Sequence, residues 1–158
     1  MKKNYRKLVL VFSVSLLMFV LSGCAKKQVY MDQPASDGNY HYQNEALGFT
    51  QVLPVQFKYY QTQRKEGEGY KEIEFFIPTS DTNYVQEVQG YAKPLVVRVY
   101  DSETWKKLAQ EEALNYKMME EKDGKVFVIS YWKEIPADWK DKWKGDLKNL
   151  IENGFKAI

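Results

Sequence analysis

Residues 125–132, Lys-Val-Phe-Val-Ile-Ser-Tyr-Trp, are apolar on both sides of an extended chain. Val126, Val128 and Trp132 share one side by the two-residue period of a strand, and Phe127, Ile129 and Tyr131 share the other. A strand of this kind belongs in a sheet with both faces covered. Asp123-Gly124 stands just before it, the strongest short hairpin signal in the chain. Tyr116–Glu121 is the expected partner strand across that turn.

Other strands follow from the same alternation. Asn39–Gln43 and Phe49–Pro54 flank a hairpin loop over 44–48. Phe57–Lys65 and Tyr70–Pro78 flank Glu66-Gly67-Glu68-Gly69, where both glycines are expected to supply positive φ values. Ile73, Phe75 and Ile77 lie on one face of the second of these strands. Glu72, Glu74 and Phe76 lie on the other, which the glutamates mark as a solvated side. Pro94–Tyr100 is a strand opened by its proline. Two helices are expected. One covers 101–115, with Asp101 and Ser102 as caps and Trp105, Leu108 and Ala109 on one face. The other covers 136–154, with Asp138 in its first turn and a stripe of Trp139, Trp143, Leu147, Leu150 and Ile151 ending at Gly154. Trp139 and Trp143 are expected to be buried where this helix meets the sheet. The long connection Pro78–Lys93 shows no period. The expected fold is α+β, a central antiparallel sheet with helices covering both of its faces.

The first residues point to the cell envelope. Met1–Lys7 carries four basic residues and no acid, Leu8–Leu21 is apolar but for two serines, and Ser22-Gly23-Cys24 is small. A basic, then apolar, then small order is that of a secretory signal peptide. The apolar run is shorter than the roughly 20 residues a membrane-spanning helix needs. A short membrane anchor or a buried helix are the alternatives. Leu21-Ser22-Gly23-Cys24 resembles a bacterial lipobox. That resemblance implies a diacylglycerol-modified Cys24 as first residue of the mature chain, held at the outer face of the cytoplasmic membrane, or at the outer membrane of a cell that has two. Cys24 is the only cysteine, so an internal disulfide is excluded. The organisation expected is a signal peptide over 1–23, a lipidated tether over 24–38, and one globular domain over 39–158.

Removing the leader changes the charge. Four of the 23 basic residues and none of the 21 acidic ones lie in it, leaving 19 against 21, a formal net of −2. That balance does not suit nucleic acid, which needs a basic face. The lone histidine, His41, has no cysteine or histidine cluster around it in the sequence to form a metal site. It also sits in no nucleophile-base-acid pattern. Asp81-Thr82-Asn83 offers oxygen ligands without EF-hand spacing, and no phosphate-loop or nucleophile-elbow motif occurs. Glu72 and Glu74 could act as a carboxylate pair or be a solvated strand face. No metal, cofactor or catalytic residue is expected.

The order of elements resembles the PsbP-like fold, an α/β/α sandwich found in bacterial lipoproteins. The residues that carry the resemblance are Gly48-Phe49, Leu53-Pro54, 123–132 (DGKVFVISYW) and 146–156 (DLKNLIENGFK). The family often has tryptophan where this chain has Phe57. Members with known roles are mostly non-enzymatic, among them an extrinsic photosystem II subunit and a Ran GTPase-binding protein, so the resemblance implies a binding or accessory module. No shared binding motif transfers. The expectation is a protein partner at the envelope, contacted through Phe76, Tyr84 and Tyr91, with Tyr84 and Tyr91 partly exposed near Phe76. A glycan-binding protein or glycan hydrolase is the alternative.

Overall fold

The computed structural model describes residues 33–108 and 115–158. Leu21, Ser22, Gly23 and Cys24 and the expected signal peptide lie outside the described residues, as does the tether before residue 33. Within 33–38, Gly38 N–H donates to Ala35 O and Ala35 N–H to Asn39 O, so this stretch forms a hydrogen-bonded turn.

Two antiparallel sheets make the domain. The smaller has three strands in the order β1-β2-β8: β1 (Tyr40–Asn44), β2 (Phe49–Leu53) and β8 (Phe155–Ala157). The larger has five in the order β3-β4-β5-β7-β6: β3 (Gln61–Gly67), β4 (Tyr70–Pro78), β5 (Tyr91–Asp101), β7 (Lys125–Tyr131) and β6 (Lys117–Lys122). The described α-helices are α1 (Ser102–Lys107) and α2 (Gly145–Asn153).

The large sheet has a front and a back. Ile73, Phe75, Leu95, Val97, Phe127 and Ile129 point forward into the main core, where they meet Phe49 and Leu53 of the small sheet and Leu147 and Ile151 of α2. Tyr42 joins the two sheets, its ring 5.0 Å from that of Phe75. Gln51 ties β2 to α2 by donating to Ile151 O at 2.7 Å. On the back, Tyr100, Val126 and Val128 form a second cluster with Trp105 and Leu108. Residues 126–129 are thus buried on both sides, as their composition requires.

The α/β/α sandwich is overturned. Among the described residues the small sheet with α2 covers the front, and one short helix covers one end of the back. The expected helix over 136–154 is α-helical only at Gly145–Asn153. Ala137–Trp139 is one 3-10 turn, and Lys144 is extended at φ −110, ψ 171. Tertiary contacts decide this. The Trp139 indole donates to Pro78 O at 3.0 Å, and Trp143 stacks on Phe57 at 6.3 Å. Both tryptophans are buried as expected, but from an irregular segment. Asp138 lies in the first turn of that 3-10 segment, and its carboxylate accepts from Thr79 and Ser80 in the loop after β4. Of the expected helix over 101–115, Ser102–Lys107 is seen and 109–114 lies outside the described residues.

Two further strand boundaries move. β3 begins at Gln61, because Val55–Phe57 forms a 3-10 turn and Tyr59 takes φ 63. β5 begins at Tyr91, so Pro94 lies inside it. The β4–β5 register shifts there: Phe75 pairs with Leu95 and Ile77 with Ala92, leaving Lys93 and Pro94 opposite the single residue Phe76. A bulge is where a strand interior tolerates a residue without an N–H.

Candidate functional site

The bulge builds the site. Strict alternation from Leu95 would send Lys93 into the front core. The extra residue turns it to the back, where its ammonium meets Glu74 Oε1 at 2.8 Å and Glu87 Oε1 at 2.5 Å. Lys65 on the neighbouring strand lies 2.8 Å from Glu74 Oε2, an ion pair off hydrogen-bond alignment. Glu72 stands directly across from Arg98 in the β4–β5 register and takes its Nε at 2.6 Å. The Arg98 guanidinium also lies 3.8 Å from the centre of the Tyr70 ring and donates to the hydroxyls of Tyr100 and Tyr116.

The acidic face is therefore not solvated. Glu72 and Glu74 are both buried, and each faces a cation at ion-pair distance. Burial works against the charge of Lys93, yet hydrogen bonds to Glu74 and Glu87 hold its pKa above the ordinary value. Burial works likewise on Arg98, and its hydrogen bonds to Tyr100 and Glu72 outweigh it. Lys65 is held up chiefly by Glu74. The bond from Lys93 is the first cause that keeps the Glu87 carboxyl below its ordinary range.

Beside this charged floor lies a cleft of about 430 Å³. Its walls include Phe76, Tyr84, Val85 and Tyr91 on one side and Ser130, Tyr131 and Trp132 on the other. Phe76 is buried; Tyr84 and Tyr91 are half-buried; Val85 is 85 % exposed. The structure thus brings all three sequence-selected residues to one cleft. Burial raises the pKa of the Tyr84 phenol.

The loop over 79–90 that carries Tyr84 and Val85 is fastened at both ends. Thr79 Oγ1 and the Ser80 N–H donate to Asp138 at 2.7 and 3.0 Å. The Ala137 N–H donates to Asp81 Oδ2 at 2.8 Å, and the Gly90 N–H to Gln86 Oε1 at 2.6 Å. Gln61 Nε2 donates to the Tyr91 hydroxyl at 2.7 Å. Both anchoring aspartates are held below their ordinary pKa. For Asp81 the cause is the N–H groups of Ala137 and Asn83. For Asp138 burial opposes the shift, and donors from Ser80 and Thr79 overcome it. Asp81 is a loop fastener here, and among the described residues no group of His, Cys, Asp and Glu could hold a metal ion. His41 is exposed on β1, 2.8 Å from Asp37.

Sequence reasoning selected the aromatics and missed Lys65, Glu87, Lys93 and Arg98. Pro94 inside a strand was the signal for Lys93, since it calls for a bulge. Compared with family models, curated proteins and solved structures, the chain matches none.

Proposed function

We propose that the protein is a lipid-anchored binding module of the cell envelope and that the back-face cleft is its contact surface for a protein partner. The cleft pairs half-buried tyrosines with charges fixed by ion pairs on a sheet, the rigid-scaffold-and-loop arrangement that binding surfaces use. Lipidation at Cys24 rests on the lipobox resemblance; among the described residues no helix is long and apolar enough to cross a membrane. A glycan hydrolase would need one carboxyl kept protonated beside a second carboxylate. Glu72 and Glu74 instead each face a cation, which favours binding over hydrolysis.

Crosslinking in intact cells tests this reading. Tyr84→Ala combined with Tyr91→Ala should abolish the partner adduct while the thermal midpoint stays within a few degrees. Retention of the adduct by a folded double variant would exclude the cleft. Intact mass of the membrane-extracted protein tests the anchor: an unmodified Cys24 with Met1 still present refutes it.

A further inference from the structure

One charge on the cleft floor is balanced by a residue that does not belong to the floor. Lys65 and Lys93 share the buried Glu74, each 2.8 Å from one of its oxygens. Two cations on one carboxylate leave a formal excess of +1. Beside them Arg98 and Glu72 pair one to one at 2.6 Å. Past the end of β7 the exposed Lys133 and Glu134 cancel in formal charge. The excess is met by Glu87, whose Oε1 lies 2.5 Å from Lys93 and whose Oε2 lies 3.5 Å from Lys65. Asp81 and Asp138 stand at the root of the same loop. Their oxygens accept from the Ala137, Asn83 and Ser80 N–H groups and the Thr79 hydroxyl, and neither lines the cleft.

Glu87 differs from the other acids in its place. Its side chain is 54 % exposed, against 3 % for Glu74, and it comes from the 79–90 loop. The loop is held without it. Gln86 Nε2 donates to Asp81 O at 3.2 Å, Gln86 Oε1 accepts the Gly90 N–H, and the Thr79 N–H donates to Gly90 O at 2.9 Å. A turn of the Glu87 side chain into water therefore uncovers two ammonium groups while the loop keeps its fastenings. An ion pair with one partner in solvent is weakly held. Next to the uncovered ammonium groups stand Phe76, its ring 6.0 Å from the Lys93 nitrogen, and the half-buried Tyr84 and Tyr91.

We infer that Glu87 is a built-in stand-in for a carboxylate of the protein partner, which rests on the cleft being the binding surface proposed above. The partner presents an acidic group beside an apolar side chain, and that group takes the place of Glu87 at Lys93 and Lys65. The exchange is one carboxylate for another, so no cation on the floor is left without its acid. Tyr84 and Tyr91 cover the neighbouring apolar side chain, the use that interfaces make of tyrosine. A cationic group meets Lys93 as a like charge, and a neutral one leaves Glu87 where it is. Selection for an acidic partner follows from both.

The test titrates the full chain in detergent micelles with three short probes and follows the amide chemical shifts of the cleft residues. Acetyl-Phe-Glu-amide carries the carboxylate on a side chain, acetyl-phenylalanine carries it at the chain end, and acetyl-Phe-Gln-amide lacks it. Glu87→Gln should tighten binding of the acidic probes by about fivefold, the scale of the partly exposed ion pair it removes, and leave the neutral probe unchanged. Whichever acidic probe gains more assigns the group to a side chain or a chain end. Glu68→Gln makes the same charge change at an exposed hairpin tip and should have no effect. Lys65→Met added to Glu87→Gln should reverse the gain. The exchange is overturned by a folded Glu87→Gln protein that binds no acidic probe or binds them with parental affinity. A gain shared by the neutral probe, or matched by Glu68→Gln, overturns it equally. The cleft itself falls only if the partner adduct also survives the Tyr84→Ala and Tyr91→Ala change.

Discussion

Replacing Lys93 with methionine isolates the ion-pair network beneath the cleft. Glu74 is the buried partner, its side chain 3 % exposed, with Lys93 at 2.8 Å on one oxygen and Lys65 at 2.8 Å on the other. Lys93→Met keeps the stem that packs near Phe76 and removes the charge. Breaking a buried pair by deleting one partner costs about 3–5 kcal/mol, because the other charge stays buried. Lys65 remains, but its side chain is 42 % exposed, so it compensates only in part. The expected loss is about 3 kcal/mol, or roughly 10 °C in midpoint for a domain of this size. Glu74→Gln on the Lys93→Met background removes the stranded charge. The double variant should be destabilised by about 2 kcal/mol less than the sum of the two single changes. Urea unfolding followed by tryptophan fluorescence reads all four proteins. A Lys93→Met variant within about 0.5 kcal/mol of the parent, or strict additivity in the cycle, would refute the network.

Other outcomes are fixed by the same structure. Trp143→Ala should cost about 3–5 kcal/mol, since the ring is buried against Phe57, Tyr131 and Trp132; calorimetry showing a change under 1 kcal/mol would place it on the surface instead. Gly124→Ala, at φ 73 in the β6–β7 turn, should cost about 1 kcal/mol by urea midpoint, against no effect if the turn is loose. Glu87 and Asp138 have lowered pKa values, so their contribution is complete above their ordinary values of 4.5 and 3.8 and is lost as pH falls through the lower folded ones. Lys65 and Lys93 are raised, so theirs is complete below 10.5 and lost as pH rises through the higher folded values. The thermal midpoint should therefore be flat between about pH 5 and 10 and fall on both sides; a maximum near pH 4 would contradict these signs.

The elements legible in the sequence are those set by local chemistry. Asp123-Gly124 specifies the β6–β7 turn because both central residues take positive φ, 51 and 73, and few other dipeptides do so readily. The alternation in β4 grouped Ile73, Phe75 and Ile77 on the apolar face, and that in β7 separated Phe127 and Ile129 from Val126 and Val128 with both faces covered, because burial enforces the period. What was lost depends on register. A row of glutamates reads as a wet face until Arg98 is known to stand opposite Glu72. Lys93 falls in a connection without period, and strict alternation back from Leu95 would turn it to the front until the bulge is counted. The spacing of Trp139 and Trp143 suits a helix, but the indole bond to Pro78 and the extended Lys144 place them on irregular chain. Gly67 was expected to supply a positive φ; only Gly69 does, at 73. A Cβ at Gly67 would sit 2.3 Å from the Tyr70 ring, so room for that ring is what the glycine provides. Gly154 was expected only to end a helix. It also closes the backbone onto Val52, where a Cβ would lie 2.4 Å from the valine side chain, a close approach that needs the small sheet to be seen.

Photocrosslinking from position 85 in intact cells tests the binding role of the cleft most directly. Val85 is the most exposed large apolar residue described and stands on the cleft wall, so a photoreactive residue there reaches whatever occupies the cleft without disturbing its floor. The account predicts a discrete protein adduct from position 85, absent from position 68 at the far hairpin tip, and lost when Tyr84→Ala and Tyr91→Ala are introduced. An adduct from position 68 that position 85 does not give, or one from position 85 that survives the double tyrosine change, would place the partner elsewhere on the molecule.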